Sequence, residues 1–201
     1  MESDIQEVGR KLASLEEQKA KRVHIDIADG LFCDLLTIAP SDLQTFDLSK
    51  IKLDIHLLVD DPAEWIEECT AIEPTRLIAQ IERMGSQAMF LERVGNYGIK
   101  GGIALKIDTP IEAIEEEILE TCEVVLLLAI PAGTTGSLFD ERVISKIKEL
   151  RKVYDGKILI DGGINEETYK KVIEAGASEA GANSWYWAHL RQGFGGQGGK
   201  L

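Results

Sequence analysis

Short apolar runs alternate with amphipathic helical stretches along the whole of this chain, and few architectures accept that rhythm. Runs of strand length fall at 23–27, 52–58, 76–81, 102–107, 123–130, 157–161 and 177–181. Helical periodicity lies between them, near 62–72, 85–95, 111–119, 139–153 and 165–175, after an opening helix from Glu2 to about Lys19. Strand, helix, strand repeated in this way implies parallel strands joined by right-handed crossovers. Asp61-Pro62, Thr109-Pro110 and Asn165 before Glu166-Glu167 mark helix starts, where acidic residues complement the macrodipole. The expected fold is a (β/α)8 barrel that lacks its first strand, because seven strands are read and the first element is a helix. Either a strand lies upstream or the barrel has an open seam between its first and last strands. Residues 1–192 are expected to form this single domain, with the Gly-rich stretch 193–201 as a disordered tail.

At 201 residues the chain is long enough for one sizeable core, and 44% hydrophobic with 28% charged residues is the balance of a soluble globular protein. The net charge of −13, with basic residues interspersed among acidic ones, argues against nucleic acid or an anionic membrane as partner. Cys33, Cys69 and Cys122 are widely spaced with no CxxC pair, which points to free thiols and a cytoplasmic location. No signal peptide is read, and the longest apolar run, Val124 to Ile130, is strand-sized.

Chemistry enters on three of the strands. In Val23-His24-Ile25-Asp26-Ile27 the alternation sends His24 and Asp26 to one side and the aliphatic residues to the other. Asp54-Ile55-His56-Leu57-Leu58-Val59 repeats the pattern, and Ile158-Leu159-Ile160-Asp161-Gly162-Gly163 ends a strand on a carboxylate followed by two glycines. A buried strand would fill such positions with aliphatic residues, since an unpaired buried carboxylate is very costly. Taken singly, each His is explained as a satisfied core residue and each Asp as a turn cap. Taken together, His24, Asp26, His56 and Asp161 suggest a metal site or an acid/base site.

Those segments resemble the ribulose-phosphate 3-epimerase family, metal-dependent sugar-phosphate epimerases built on a TIM barrel of the ribulose-phosphate-binding type. His24-Ile25-Asp26-Ile27-Ala28-Asp29-Gly30 with Leu36-Thr37-Ile38-Ala39-Pro40 is similar to the family's HVDVMDG…LTIGP, and Asp54–Val59 to its DVHLMV. Ile160–Asn165 is similar to VDGGIN, and Gly176-Ala177 followed by Asn183-Ser184 to the turn that ends in Gly-Ser. The resemblance runs from the first helix to the last strand. The family's first strand, with its substrate-contacting Ser, is absent, and Ala28, Leu58 and Leu127 stand where the family has the methionines that crowd its active site. Ile130-Pro131-Ala132-Gly133-Thr134-Thr135-Gly136 replaces the family's NPGFGGQ phosphate loop, and the GFGGQ string at Gly193–Gln197 follows the last strand and is read as tail.

The resemblance implies epimerisation at C3 of a ketose phosphate, D-ribulose 5-phosphate to D-xylulose 5-phosphate, as part of the pentose phosphate pathway. His24, Asp26, His56 and Asp161 would hold a divalent ion, and their donor set suits Zn, Fe, Mn or Co without choosing among them. Inversion needs an acid/base group on each face of the substrate, for which Asp26 and Asp161 are the catalytic candidates. Gly162, Gly163, Asn183 and Ser184, in the turns after the last two strands, would offer backbone N–H groups to a phosphate, with Gly133 and Gly136 in a substitute loop. The partner expected is therefore a small-molecule sugar phosphate, with homo-oligomerisation as one way to close the seam. A ketohexose-6-phosphate 3-epimerase and a catalytically degenerate sugar-phosphate-binding barrel are the alternatives. Decarboxylases and synthases on related barrels need D-x-K-x-x-D, and His56 stands where that Lys is required. Cys33 has no activating His, and Trp185-Tyr186-Trp187 is read as packing beneath the last helix.

Overall fold

A computed structural model describes residues 4–134 and 136–190 of the chain. Helix α1 (Ile5–Glu17) leads into seven strands: β1 (Arg22–Ala28), β2 (Lys52–Leu58), β3 (Arg76–Gln80), β4 (Lys100–Leu105), β5 (Val124–Leu128), β6 (Lys157–Asp161) and β7 (Glu179–Gly181). The crossovers carry α2 (Ile66–Thr70), α3 (Gln87–Asn96), α4 (Arg142–Leu150) and α5 (Glu166–Ala175), and α6 (Ser184–Leu190) follows β7. Every strand pairing is parallel, and the spatial order is the chain order, β1 to β7. The sheet is rolled into a nearly closed barrel. Arg76 on β3 reaches Glu179 on β7 at 2.7 Å, whereas four strand spacings of about 4.8 Å would part them in a flat sheet. Among the described residues β7 does not ladder with β1, so a seam remains between them.

The two-residue period of the strands sorts their side chains into two layers. Val23 and Ile27, Leu53, Ile55 and Leu57, Leu77 and Ala79, Val125 and Leu127, and Ile158 and Ile160 join the helices in one buried cluster. Ala28, Leu58, Ile78, Ala104, Leu126, Leu128 and Leu159 fill the barrel, capped by Phe32 from the loop after β1. Leu127, expected at the site, therefore faces the helices, and its neighbours Leu126 and Leu128 face inward. Gly102 is obligatory in the inner layer, because a Cβ there would stand 2.6 Å from Val124 Cγ1 and 2.9 Å from its carbonyl oxygen.

The N-terminal ends of the strands are closed by charge. Arg76, 1% exposed, makes two bonds to Glu179 at 2.7 and 3.1 Å and approaches Asp54 at 3.5 Å. Arg22 pairs with the other oxygen of Asp54, while Lys100 and Lys157 pair with Glu123 just before β5. Strand-start residues from across the sheet are thus tied into one network.

Element bounds differ from those the periodicity suggests by one to three residues at many ends, and one expected helix does not form. Residues 111–119 make two short 3₁₀ turns, Ile111–Ala113 and Glu116–Glu120. The side chain of Gln87 in α3 donates to the Ala113 carbonyl at 2.7 Å and accepts from Glu115 N at 3.1 Å. The Glu115 carboxylate accepts from Gln87 N and Ala88 N, at 3.3 and 3.2 Å, in the first turn of α3. These contacts take the backbone and side-chain groups that a helix over 111–119 would use, and Glu115 gains the favourable end of the α3 dipole. The stretch 62–72 likewise splits into a 3₁₀ turn (Pro62–Trp65) and the short α2. The Gly-rich stretch 193–201 and the domain boundary at 192 lie outside the described residues. No helix among the described residues is long and apolar enough to cross a membrane.

Candidate active site

β1, β2 and β6 bring His24, Asp26, His56 and Asp161 together, with one ligand atom from each lying within 4.8 Å of the others. Asp26 and His56 are paired in the β1–β2 register, so adjacent strands present them side by side. His56 Nδ1 lies 2.8 Å from Asp26 Oδ1, and His24 Nε2 lies 3.4 Å from the same oxygen. The imidazole rings sit 5.5 Å apart between centroids. His56 is fully buried. Both ring nitrogens of His24 are buried without a hydrogen-bond partner. Buried polar atoms are normally satisfied; a buried imidazole with a free lone pair beside two carboxylates is the donor set of a divalent-cation site. The residues present fit such an ion.

Burial and mutual charge drive the two carboxyls apart. Burial works against ionisation of Asp26, but the close approach of His24 and the hydrogen bond from His56 outweigh it and hold the group well below the usual carboxylate range. For Asp161, burial and the nearby Asp26 charge both push the pKa above its ordinary value. Burial disfavours charge on His24, yet its close approach to the Asp26 carboxylate, at 3.4 Å, leaves the pKa raised. One aspartate is thus held ionised and the other is biased toward its acid form.

Beside this group lies a cavity of about 640 Å³, lined by His24, Asp26 and Asp161 at its inner end. Of the residues expected to hold phosphate, Gly136, Gly162, Gly163, Asn183 and Ser184 line it. Gly133 does not line the cavity: it packs on the loop after β1, where a Cβ would stand 2.6 Å from Cys33 Sγ. Thr135 of the same loop lies outside the described residues. Gly162 and Gly163 both have positive φ, +100° and +67°, and a Cβ on Gly163 would press on the Phe139 backbone at 2.9 Å. Asn165 caps α5 through Glu167 N and Thr168 N, and Thr168 Oγ1 donates to the Gly163 carbonyl at 3.0 Å, which fixes this turn. The loop after β1 is held by Asp29, whose carboxylate accepts from Leu31 N, Phe32 N and, across to the β2 loop, Asp60 N.

Sequence reading missed three residues that support the site. Gln80, at an inward position of β3, places its Nε2 2.9 Å from His56 Nε2. A polar residue two positions beyond inward Ile78 was the signal for it. Lys146 of α4 is buried and donates to the carbonyls of Lys106, Ile107 and Thr109, and Glu82 accepts from Lys106 N and Thr109 Oγ1. Together they clamp the loop after β4, and burial pulls the Lys146 ammonium down to about 8.

A parallel α/β barrel with two imidazoles and two carboxyls gathered from strand ends beside a glycine-lined cavity defines a barrel enzyme of acid/base, metal-capable type. The chain belongs to the ribulose-phosphate 3-epimerase family, whose model matches residues 1–185; it is an isomerase of the epimerase kind. It is 30% identical to ribulose-phosphate 3-epimerase of Bacillus subtilis (strain 168) over 185 residues, covering 89% of this chain and 85% of that protein. Against the protein of the same name from Synechocystis it is 28% identical, over 92% of this chain and 83% of the relative. Solved barrels share the fold alone. The tryptophan synthase A-subunit of Pyrococcus furiosus superposes with a TM-score of 0.60 at 14% identity, over 96% of this chain and 87% of that one. Phosphoribosyl anthranilate isomerase from Thermus thermophilus gives 0.58 at 14% identity, over 89% and 82%.

Proposed function

We propose that this protein interconverts D-ribulose 5-phosphate and D-xylulose 5-phosphate by proton transfer at C3. The observation that carries the reading is the pairing of Asp26 and Asp161, brought to one centre from β1, at one edge of the sheet, and β6, next to the other, and held in opposite protonation tendencies. Ionised Asp26 takes the C3 proton from one face of the ketose, leaving an ene-diolate, and the acid form of Asp161 returns a proton to the other face. In the reverse direction the two exchange roles. His24, Asp26, His56 and Asp161 would hold a divalent ion, which when bound polarises the C2 carbonyl and offsets the developing negative charge. Zn, Fe, Mn and Co all suit two imidazoles and two carboxylates.

Gly162, Gly163 and the Asn183-Ser184 turn, with Gly136, are assigned to the phosphate, which backbone N–H groups would receive without a charged side chain. Gly133 serves by letting its loop close on Cys33. The continuation of the cavity past the site to α1 and Trp187 favours, as second reading, a longer ketohexose 6-phosphate. Three free cysteines, two of them buried, support a reducing, cytoplasmic setting. Purified protein supplied in turn with Zn²⁺, Mn²⁺, Fe²⁺ and Co²⁺ is expected to turn over ribulose 5-phosphate and to lose activity on chelation. Turnover of the hexose phosphate alone would select the second reading, and binding of either sugar without turnover would select a degenerate barrel.

A further inference from the structure

Gln80 is fully buried on β3, a strand that gives no residue to the His/Asp group. Its Nε2 lies 2.9 Å from His56 Nε2, while its Oε1 is buried without any partner. Leaving such a carbonyl unpaired costs about 1–3 kcal/mol, so an aliphatic side chain would pack there more favourably. His56 faces Asp26 with its other nitrogen, Nδ1, at 2.8 Å. In this arrangement Nδ1–H donates to Asp26 and Nε2 accepts from the Gln80 amide. A ring that gives the Nδ1 lone pair to a cation must carry its proton on Nε2. The Gln80 N–H group would then meet another donor. A carboxamide carries a donor and an acceptor on one rotor, and half a turn about Cγ–Cδ sets the orphaned Oε1 opposite Nε2–H.

We propose that Gln80 is a positioning residue that follows the tautomer of His56, donating to Nε2 in the metal-free protein and accepting from Nε2–H when the site is loaded. The inference rests on the reading of the four residues as a metal site. It explains both the choice of an amide at a buried inward position and the unpartnered oxygen. It also makes Nδ1 a better donor, as hydrogen-bonded partners of ligating histidines do, with losses of about 10–100-fold in metal affinity when they are removed.

The test is Zn²⁺ affinity, measured by competition with a chromophoric chelator, for the wild type and Gln80→Met, together with ¹⁵N NMR of the His56 ring in the wild type. The wild type is expected to bind Zn²⁺ and to move the ring proton from Nδ1 to Nε2 on loading. Gln80→Met is expected to fold when metal-free and to bind Zn²⁺ 10–100-fold more weakly. A Met variant that binds within twofold of the wild type overturns the proposal while leaving the metal site standing. A loaded wild type whose His56 Nε2 stays unprotonated overturns it without any variant, whether or not Gln80→Met folds. A wild type that binds no Zn²⁺ overturns both readings together.

Discussion

Asp26 and Asp161 have the same side chain and opposite surroundings, and that difference is where the chemistry resides. Asp26 faces both histidines, His56 Nδ1 at 2.8 Å and His24 Nε2 at 3.4 Å, whereas Asp161 is desolvated with a like charge nearby. A carboxyl that keeps its proton to higher pH when folded than when unfolded makes the native state bind more protons in that window. Stability contributed by Asp161 is therefore lost as pH rises from the unfolded value of about 3.9 toward the raised one. Asp161→Asn removes that loss, so the metal-free variant is expected to melt above the metal-free wild type at pH 7, by about 2–4 °C for each kcal/mol recovered. The gap is expected to close as pH falls toward about 4, and calorimetry across that range checks it. A variant that melts below the wild type at pH 7 would refute the assignment. The four His/Asp positions were legible because strand alternation exposed them against aliphatic neighbours. Gln80 was not, because its strand was read only as an apolar run and its significance depends on where His56 points.

At the scale of elements, the strands were legible and the connections less so. β1 and β2 alternate polar and apolar residues, so their inward faces are set by sequence. β5 is Val124-Val125-Leu126-Leu127-Leu128, apolar on both faces as buried parallel strands are, and its parity cannot be read. Leu127 was for that reason placed on the wrong side. Residues 111–119 carry Ile111, Ile114 and Ile118 at helical spacing, but contacts with Gln87 and the start of α3, invisible locally, decide their conformation. Two glycines separate packing from propensity. Gly102→Val would force side-chain atoms into Val124 and is expected to cost about 1–3 kcal/mol or more. Gly95, in α3, has nothing within 4 Å of a modest side chain, so Gly95→Ala is expected to stabilise by about 0.5–1 kcal/mol. Urea unfolding of the two variants tests the contrast, and equal effects would contradict the layer assignment.

At the scale of the molecule, the seven strands of the described residues leave a seam, and the barrel must be held shut by something besides its ladder. Arg76 supplies one such tie, spanning from β3 to Glu179 on β7 and leaning on Asp54. Arg76→Met would remove the two bonds to Glu179 while Asp54 keeps Arg22, and is expected to lose about 1–3 kcal/mol. Arg76→Lys keeps the charge but not the two-bond geometry, and is expected to recover only part of it. Thermal melting of the pair decides, and a Met variant as stable as the wild type would show the tie to be dispensable. The cavity lies at this seam, lined by residues of α1, β1 and α6 together with Asp26 and Asp161, and none of Arg76, Asp54 and Glu179 lines it. Proton transfer at C3 by those two residues is best tested by turnover of ribulose 5-phosphate in D₂O with product analysis by NMR. Xylulose 5-phosphate is expected to carry deuterium at C3, with the label lost together with turnover in Asp26→Asn and Asp161→Asn. Formation of xylulose 5-phosphate with C3 still fully protiated, or full turnover in either variant, would contradict it.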